Sequence, residues 1–572
     1  MFKNITFIFS KIKKFTRSND LELIFFFTLL TSFLEIFGLS AVGTFISAMT
    51  SNFDESNFLI DFIKKIFNTN SKKELLKITG YFVIFLFLII NIANAYLYSF
   101  ITRKSNNYVS YLSTSLFDNY LKKNYFFFTQ KSISKLTKNI INETHTVINQ
   151  IIFPCFILIS KLVTTVIVVI FLFFYNTEIT LILFLILALS YFTLYFLFNQ
   201  KLLGLGKKLI KENEKKYLIV QETLFGIKEI KLFNLKDITI KNFKYTLDKF
   251  YKYRTLTSLI TVLPRYFIEV IIIIIFILFL INSFSDNTTD NIKDLSILSV
   301  FLVASSRLFP AFQNIYSSTS LIKNAFPNFD LILNELRSQE NKDVISNKKN
   351  NLNFKDKITL KNISLQYKND EKFVFNKLNL EIKKNTTFGI KGVSGKGKST
   401  LVDIISGLVR PNSGEIIVDK KKINNTNLTS WRSKFSYVPQ KVFLFDDTIM
   451  NNIILGNKLN TNIKQSDLNF AIKASRLDKF IYDKPSKLNF AIRGNGMNIS
   501  GGQRQRIGIA RCVYYNKDII IFDEATSGLD KKTEKELLKI IFGLKTKKTI
   551  IIISHNKDII KKCNNYIDLD NH

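Results

Sequence analysis

A glycine-rich segment between a predicted strand and a predicted helix is the strongest chemical signal in this 572-residue sequence. The strand-like residues Thr387–Lys391 lead into GVSGKGKST at Gly392–Thr400, and an apolar helical pattern follows at Leu401–Leu408. The spacing is G-x-x-x-x-G-K-[ST], in which the glycines let backbone N–H groups converge on phosphate oxygens at a helix N-terminus. We therefore expect Lys398 to reach the β- and γ-phosphates of a nucleotide and Ser399 to bind Mg²⁺. The residues that we assign to this phosphate loop are Gly392, Ser394, Gly395, Gly397, Lys398, Ser399 and Thr400.

A second candidate site is a pair of acids at the end of an apolar run. Ile519–Phe522 is typical of a strand that is apolar on both faces, and Asp523 and Glu524 follow it directly. Such strands belong in parallel sheets. We expect Asp523 to hold Mg²⁺ through water and Glu524 to polarise an attacking water, because phosphoryl transfer mainly requires positioning and neutralisation of charge. Taken alone, the acid pair is equally compatible with a structural role.

A third motif, ISGGQ at Ile499–Gln503, stands between the phosphate loop and the acid pair. With the motifs in this order, the sequence resembles the ATP-binding cassette (ABC) ATPases. In that family the Ser-Gly-Gly-Gln segment opens a helix and contacts the γ-phosphate of an ATP held by the opposite domain, and a helix N-terminus is a good anion site on physical grounds too. The resemblance implies ATP and Mg²⁺ as cofactors, two composite sites and, with one cassette in this chain, a homodimer. The nucleotide-contacting residues that it adds are Ser500, Gly501, Gly502 and Gln503.

Four more positions match family residues one at a time. Tyr367, in ISLQY, resembles the aromatic residue that stacks on adenine, with a core strand residue as the alternative interpretation. Gln440, in YVPQ, resembles the glutamine that contacts Mg²⁺ and senses the membrane domain, and Asp530, in SGLD, resembles the aspartate that crosses the dimer interface. His555 follows a strand-like run and resembles the histidine at the γ-phosphate. The resemblance thus implies a catalytic set of Lys398, Gln440, Glu524 and His555 and a metal-binding set of Ser399, Gln440 and Asp523.

One segment departs from the family pattern. Related exporters often carry an acidic residue shortly before the Ser-Gly-Gly-Gln segment, where it contacts the coupling helices of the membrane domain. Ile492–Gly496 contains no acid. The departure puts coupling through this loop in doubt and leaves the expected ATP chemistry unchanged.

The first 320 residues differ in composition from the rest and contain six long apolar runs. A helix needs about 20 apolar residues to cross a bilayer, and six such runs as buried core helices would need a larger protein around them. The predicted fold is therefore a membrane α-helical bundle of six transmembrane helices, similar to type I ABC exporters, joined to an α/β P-loop nucleotide-binding domain. We place the membrane domain at residues 1–325, a polar linker at 326–357 and the nucleotide-binding domain at 358–572. The six predicted spans are residues 21–49, 78–102, 151–175, 178–199, 256–283 and 294–317.

The charge distribution predicts the orientation and excludes one class of protein. The formal net charge is +35, and lysines concentrate in two long loops, residues 103–150 and 200–255, which the positive-inside rule places in the cytoplasm with both termini. Such a charge suits the anionic inner leaflet of a bacterial inner membrane, whereas a soluble nucleic-acid-binding ABC ATPase is disfavoured by the six spans. We expect the spans to continue as helices through both loops, with turns near Phe126–Lys131 and Gln221–Lys228, and an amphipathic helix on the outer face at Phe58–Phe67.

Ionisable residues inside the predicted spans are candidates for substrate contact, because each costs several kcal/mol unless it faces a polar cavity or a partner. Arg265 and Glu269 are spaced for a helical ion pair, which is the alternative interpretation of both. The whole pattern resembles bacterial flippases for lipid-linked oligosaccharides, which implies a polyprenyl-pyrophosphate substrate moved from the inner to the outer leaflet. Exporters of lipid A-type lipids, drugs or peptides share the same framework, and an ATP-gated channel is a further alternative. The candidate substrate residues are Glu35, Lys161, Arg265 and Arg307.

Overall fold

The computed structural model divides the chain into two compact units, residues 1–122 with 131–340 and residues 123–130 with 341–572. The predictions for Phe58–Phe67, Tyr367 and Asp530 lie outside the residues that the structure describes. The described residues are 18–50, 71–285, 291–338, 351–366, 373–455, 464–525, 531–543 and 547–571.

Long helices dominate the part of the chain before residue 338. Three of them have 50, 49 and 47 residues, which is roughly 70 Å or more at 1.5 Å per residue, against a bilayer core of ~30 Å. These helices are long enough for the predicted extensions beyond the membrane, which stay a prediction. The α-helices are α1 (Ser18–Thr50), α2 (Lys72–Leu121), α3 (Tyr125–Gln130), α4 (Ile133–Lys138), α5 (Thr144–Val147), α6 (Phe153–Tyr175), α7 (Thr177–Phe225), α8 (Ile227–Leu232), α9 (Lys236–Val262), α10 (Pro264–Ser285) and α11 (Asn291–Arg337).

Within the described residues, four helical segments are long and apolar enough to cross a membrane: Asp20–Met49, Lys72–Leu121, Ile133–Tyr175 and Thr177–Phe225. They contain the first four predicted spans. The crossings at 256–283 and 294–317 stay predictions, although both ranges are largely helical.

The fifth predicted span was wrong in one respect, because residues 256–283 do not form one continuous helix. Helix α9 ends at Val262 and α10 begins at Pro264. Proline has no N–H to donate to the carbonyl four residues earlier, and its ring clashes with that carbonyl, so the helix breaks there. A tighter turn closes the break, in which the N–H of Tyr266 donates to the carbonyl of Leu263 over 3.1 Å.

The predicted linker is also partly helical. Helix α11 continues to Arg337, through residues 326–337 that the sequence assigned to a polar connection. The reason is a buried stripe at Phe329, Ile332 and Leu333, whose spacing places them on one helix face. The sequence analysis missed this stripe because the segment 326–357 as a whole is rich in polar residues.

Two π-helical segments interrupt the chain between α4 and α6, at Asn139–Glu143 and Ile148–Ile152. The first lies beside a buried ion pair, in which Lys138 Nζ is 3.3 Å from Glu143 Oε1 and both side chains are almost fully buried. Glu143 also accepts hydrogen bonds from Asn213 on α7 and Asn328 on α11. This polar cluster therefore joins three helices of the bundle.

The second unit contains two sheets. A five-stranded parallel sheet has the order β6-β7-β8-β3-β9, and an antiparallel sheet has the order β2-β1-β4-β5. The strands are β1 (Lys357–Leu365), β2 (Phe375–Lys383), β3 (Thr387–Lys391), β4 (Ser413–Val418), β5 (Lys421–Lys422), β6 (Phe435–Val438), β7 (Ile519–Asp523), β8 (Thr549–Ile553) and β9 (Asn565–Asp568). Its helices are α12 (Lys398–Ile405), α13 (Leu428–Arg432), α14 (Ile449–Ile453), α15 (Gln465–Ala474), α16 (Asp478–Tyr482), α17 (Gly501–Tyr515), α18 (Lys531–Gly543) and α19 (Lys557–Lys561).

Strand β7 is buried on both faces, as predicted for a parallel strand. Ile519 and Ile521 pack into one hydrophobic cluster, whereas Ile520 and Phe522 pack into another on the opposite side of the sheet. Successive side chains of a strand point to opposite faces, so both faces of the parallel sheet are covered and the acid pair at its end is held on a rigid element.

Candidate nucleotide site

Three neighbouring strands of the parallel sheet end at the same edge and bring the predicted groups together. Strand β3 leads into the phosphate loop, β7 ends in Asp523 and Glu524, and β8 leads to His555. Ligands of open parallel sheets bind outside the carboxyl ends of the strands. The order of the strands therefore assembles one site from residues up to 163 positions apart in sequence (555 − 392).

The phosphate loop has the backbone that its glycines allow. Gly395 and Gly397 have φ of +88° and +81°, which side-chain-bearing residues rarely adopt. A Cβ on Gly397 would also lie 2.8 Å from Val374 Cγ1. Helix α12 begins at the next residue, Lys398, so its free N–H groups and positive dipole end face the loop.

Lys398 is buried to 7% exposure, and its ammonium group is held by the loop itself. Its Nζ donates to the carbonyl of Gly392 over 2.7 Å and lies 3.0 Å from His555 Nε2. A cation fixed at the mouth of an anion-binding loop is a counter-charge for phosphate oxygens.

Asp523 lies at 7% exposure, between two hydroxyl groups. Tyr437 donates to Asp523 Oδ2 over 2.9 Å and Ser399 donates to the same oxygen over 3.4 Å. Burial raises the pKa of Asp523, while the Tyr437 hydrogen bond opposes that rise. A buried carboxylate with a hydroxyl beside it presents the oxygen ligands that Mg²⁺ prefers.

Glu524 is held at both carboxylate oxygens. Gln440 Nε2 donates to Oε2 over 2.7 Å, and His555 Nε2 lies 2.9 Å from Oε1. The backbone of Glu524 has φ of +46°, a strained value for a non-glycine residue, so the chain turns sharply as it leaves β7. The predicted residues Lys398, Gln440, Glu524 and His555 thus lie in one cluster of contacting side chains.

His555 Nε2 faces two groups that need opposite protonation of this nitrogen. Towards Lys398 it must accept a hydrogen bond, whereas towards Glu524 it must donate one. The neutral ring has one donor and one acceptor nitrogen. The tautomer therefore decides whether His555 pairs with the lysine or with the carboxylate.

The Ser-Gly-Gly-Gln segment caps a separate helix, α17. The N–H of Gln503 donates to Ser500 Oγ over 3.2 Å, and the N–H of Ser500 donates to Gln503 Oε1 over 2.9 Å, which is a capping box. A Cβ added to Gly501 would meet no atom within 4 Å. The helix N-terminus is therefore exposed and open to an anion.

The residues at the sheet edge fit a magnesium nucleotide. The loop offers N–H groups and Lys398 to phosphate, and Ser399, Asp523 and Gln440 offer oxygen atoms to a hard cation. Across the described residues, no three His, Cys, Asp or Glu side chains are grouped so that they could hold a metal. Mg²⁺ usually takes part of its coordination from substrate phosphates and water.

Comparison with known protein families decides the affiliation. Residues 375–527 match the family model described as ABC transporter, and residues 21–310 match the model described as ABC transporter transmembrane region. The second match alone covers more than half of the chain. The chain belongs to the ABC transporters. Its second unit is accordingly an ATP-binding domain and its first a membrane domain.

Several curated ABC transporters are similar to part of this chain. The ATP-dependent lipid A-core flippases of Pseudoalteromonas translucida and Neisseria meningitidis are 37% and 33% identical over 217 and 214 residues. Each match covers 37% of this chain, and 37% and 34% of the flippase, respectively. ABC transporter B family member 13 of Arabidopsis thaliana is 36% identical over 217 residues, which are 38% of this chain and 17% of that protein. The chain thus matches well under half of the length of these relatives.

A solved structure extends the likeness to nearly the whole ABC transporter chain. The structure of a bacterial Atm1-family ABC exporter with ATP bound has a TM-score of 0.77, covers 96% of this chain and 93% of its own, and is 17% identical. At this identity the likeness shows the fold, which is that of a type I ABC exporter, as the sequence predicts.

The candidate substrate residues have different environments. Arg265 is exposed at the start of α10, and Lys161 is half-buried on α6. Arg307 is half-buried on α11, with its guanidinium 5.3 Å from the ring centre of Phe87. Glu35 is buried to 6% exposure and accepts a hydrogen bond from Asn94 over 3.1 Å. Its other oxygen has no hydrogen-bond partner among the described residues.

Two residues of the nucleotide site were missed by the sequence analysis. Tyr437 lies three residues before Gln440 in the same YVPQ segment and contacts Asp523. Asp403 lies on α12, and burial together with the charge of Asp523 raises its pKa to about 6. The place of Tyr437 at the start of the YVPQ segment was the available signal for the first. No pattern in the sequence indicates the second.

Proposed function

We propose that the protein is an ATP-hydrolysing translocase that works as a homodimer in a bacterial inner membrane, with both termini in the cytoplasm. The observation that carries the proposal is the carboxylate of Glu524, held by Gln440 and His555 beside the phosphate loop. A carboxylate so placed accepts a hydrogen bond from an attacking water, while Lys398 and Mg²⁺ neutralise phosphate charge. When bound, Mg²⁺ supplies this neutralisation at Ser399 and Asp523.

In the proposed cycle, two copies close on ATP, and each Ser500 helix N-terminus faces the nucleotide of the other copy. Closure favours one state of the membrane domains, and hydrolysis at Glu524 releases it. The coupling free energy is the difference in ATP affinity between the two states.

We propose a lipid-linked oligosaccharide with a pyrophosphate group as the substrate, moved from the inner to the outer leaflet. The support is a set of cations in the predicted spans, Lys161, Arg265 and Arg307, whose burial in hydrocarbon is costly unless a polar ligand or cavity receives them. The planar guanidinium of arginine donates two parallel hydrogen bonds to phosphate.

Lipid A-core is the second candidate substrate. The similar proteins of Pseudoalteromonas translucida and Neisseria meningitidis are named for it. Both candidate lipids carry phosphate, so the same cations would serve either one.

The test is ATP hydrolysis by the purified chain in liposomes, with polyprenyl-pyrophosphate sugars, lipid A and a panel of drugs added in turn. We expect stimulation by the polyprenyl-pyrophosphate sugars and a smaller effect of the drugs. Stimulation by lipid A alone would replace the first substrate with the second, and stimulation by none would count against a lipid translocase. Arg307→Ala should abolish stimulation and keep basal hydrolysis, whereas equal loss of both would indicate a folding role for this arginine.

A further inference from the structure

The break between α9 and α10 is fixed from one side by α11. Because Pro264 has no N–H, the carbonyl of Ile260 lacks its helical donor, and Tyr316 Oη donates to it over 3.0 Å. Gln313 Nε2 donates to the next carbonyl, that of Thr261, over 3.2 Å. The backbone groups freed by the break are therefore satisfied by α11 side chains, and the bend has a defined direction.

The opposite face of α9 and the start of α10 form an open groove of about 480 Å³. Its lining residues recur at helical spacing along α9 and cross the break. They include Arg254, Ser258, Leu259, Val262, Leu263 and Tyr266. We call this cavity the α9 groove.

The α9 groove changes character along its length. Arg254 and Ser258 provide charge and hydroxyl groups at the end nearer the cytoplasmic extension of α9. Leu259, Val262 and Leu263 provide an aliphatic wall beyond them, and these three are exposed at 43%, 47% and 43%. The fifth predicted span begins at residue 256, so the polar end lies at the predicted inner-leaflet boundary and the aliphatic end inside the bilayer.

A second cation, outside the groove lining, interacts with Arg254 at the polar end of the groove. Lys216 on α7 lies with its Nζ 4.4 Å from the ring centre of Phe250. Burial and then the neighbouring charge of Arg254 lower the pKa of Lys216, while Glu143 opposes this change. The charges of Lys216 and Arg254 act on each other, so both cations would attract an anion that binds beside Arg254.

We propose that the α9 groove binds a membrane lipid through a phosphate in its headgroup, with Arg254 as the anion-binding residue. The forked donors of Arg254 match phosphate oxygens, and the aliphatic wall matches the lipid chain. The anion-binding end continues into the aliphatic wall, so a single lipid can contact both, whereas a soluble phosphate can contact only Arg254. The inference rests on the proposed function, to which it adds the inner-leaflet site where a phosphate-bearing lipid first binds.

The experiment reads lipid contact in the groove from the fluorescence of one introduced tryptophan. Tyr266→Trp places the reporter at the groove, and the single native tryptophan, Trp431, is buried in the second unit and provides a constant background. The full chain is placed in phosphatidylcholine nanodiscs without nucleotide. Phosphatidic acid or phosphatidylcholine with brominated chains, which quench tryptophan on contact, is then titrated in.

We expect brominated phosphatidic acid to quench at lower mole fraction than brominated phosphatidylcholine. Arg254→Gln should raise the half-quenching fraction of phosphatidic acid about tenfold, because a hydrogen bond to a charged group is lost. Lys252→Gln is the matched control, since Lys252 is an exposed cation of the same helix outside the groove lining, and it should change nothing.

Four results would overturn the inference. Equal quenching by both lipids would mean a face that is merely exposed to the bilayer, and an equal effect of Lys252→Gln would mean a diffuse surface charge. Quenching by neither lipid would mean that a second copy covers the groove. Relief of quenching by soluble glycerol phosphate would mean a site for small anions. Because no nucleotide or transport is involved, a chain that binds the lipid without moving it would contradict the proposed function alone.

Discussion

At the scale of single residues, Glu524 allows a test that distinguishes ATP binding from ATP hydrolysis. Its carboxylate is held by an amide and an imidazole, whereas the groups that we propose for phosphate binding belong to the loop and α12. Glu524→Gln replaces the carboxylate with an amide of equal size, which can still accept from Gln440 but cannot take a proton from water. We expect hydrolysis to fall at least ~100-fold, as for loss of a general base.

The measurement for Glu524→Gln pairs phosphate release with the binding of a fluorescent ATP analogue. Binding should stay within about twofold of wild type, because none of the loop contacts changes. Lys398→Ala is the counterpart that should lose binding as well. Wild-type turnover by Glu524→Gln would remove the assignment of this carboxylate as the base.

We expect Asp403 to make the stability of the chain depend on pH, because burial and the charge of Asp523 raise its pKa from 3.8 to about 6. Folding thus favours the protonated carboxyl, so the stabilisation is full below the ordinary pKa of 3.8, declines as the pH rises from there to about 6, and is absent above that value. Asp403→Asn, which keeps the shape and removes the charge, should raise the midpoint of thermal unfolding at pH 8 and raise it by clearly less at pH 5, which lies inside the titration window. Unfolding of the nucleotide-free chain at both values tests this, and a uniform shift at both would exclude the titration of Asp403 as the cause.

At the scale of elements, close packing between α7 and α11 depends on one glycine. A Cβ on Gly206 would lie 1.9 Å from the backbone carbonyl oxygen of Asn324, an atom that cannot rotate away. Gly206→Ala should therefore force the two helices apart and destabilise the membrane domain by about 1–3 kcal/mol, as overpacking does.

Gly204 provides the matched control on the same helix. A Cβ there would meet nothing within 4 Å, so Gly204→Ala should be neutral or stabilise by up to ~1 kcal/mol through helix propensity. Thermal unfolding of both variants in detergent is the measurement. Equal effects of the two substitutions would show that propensity, rather than contact with α11, decides the outcome.

Local patterns were sufficient for much of this fold and insufficient for contacts between distant segments. The phosphate loop, the buried strand β7 and the apolar helices all follow from short-range spacing. The break at Pro264 was missed, although the proline alone is a sufficient signal for it. The buried ion pair of Lys138 and Glu143 could not be predicted in this way, because its burial depends on α7 and α11. The raised pKa of Asp403 was likewise unpredictable, because it depends on burial and on the nearby charge of Asp523 at the end of β7.

At the scale of the whole molecule, each chain contains one set of phosphate-loop residues and one Ser-Gly-Gly-Gln helix, which lie on different elements of the second unit. If the homodimer is the working unit, each ATP is bound by the loop of one chain and by Ser500 and its neighbours from the other. A defect in the loop and a defect in the α17 N-terminus then inactivate the same two sites when both chains carry the same change.

Mixing two inactive variants tests this arrangement. Lys398→Ala removes the phosphate counter-charge, and Gly501→Glu places a carboxylate where the γ-phosphate of the other chain's ATP would bind, so each variant alone should be inactive. A mixed dimer has one site with an intact lysine and an intact helix N-terminus and one site with both defects. With random pairing of equal amounts, about half of the dimers are mixed and ATPase activity should recover to about a quarter of wild type, provided that one intact site is sufficient. Hydrolysis by Gly501→Glu alone would argue that each chain completes its own site, and absence of recovery in a mixture shown by affinity tags to contain mixed dimers would argue that both sites must act together.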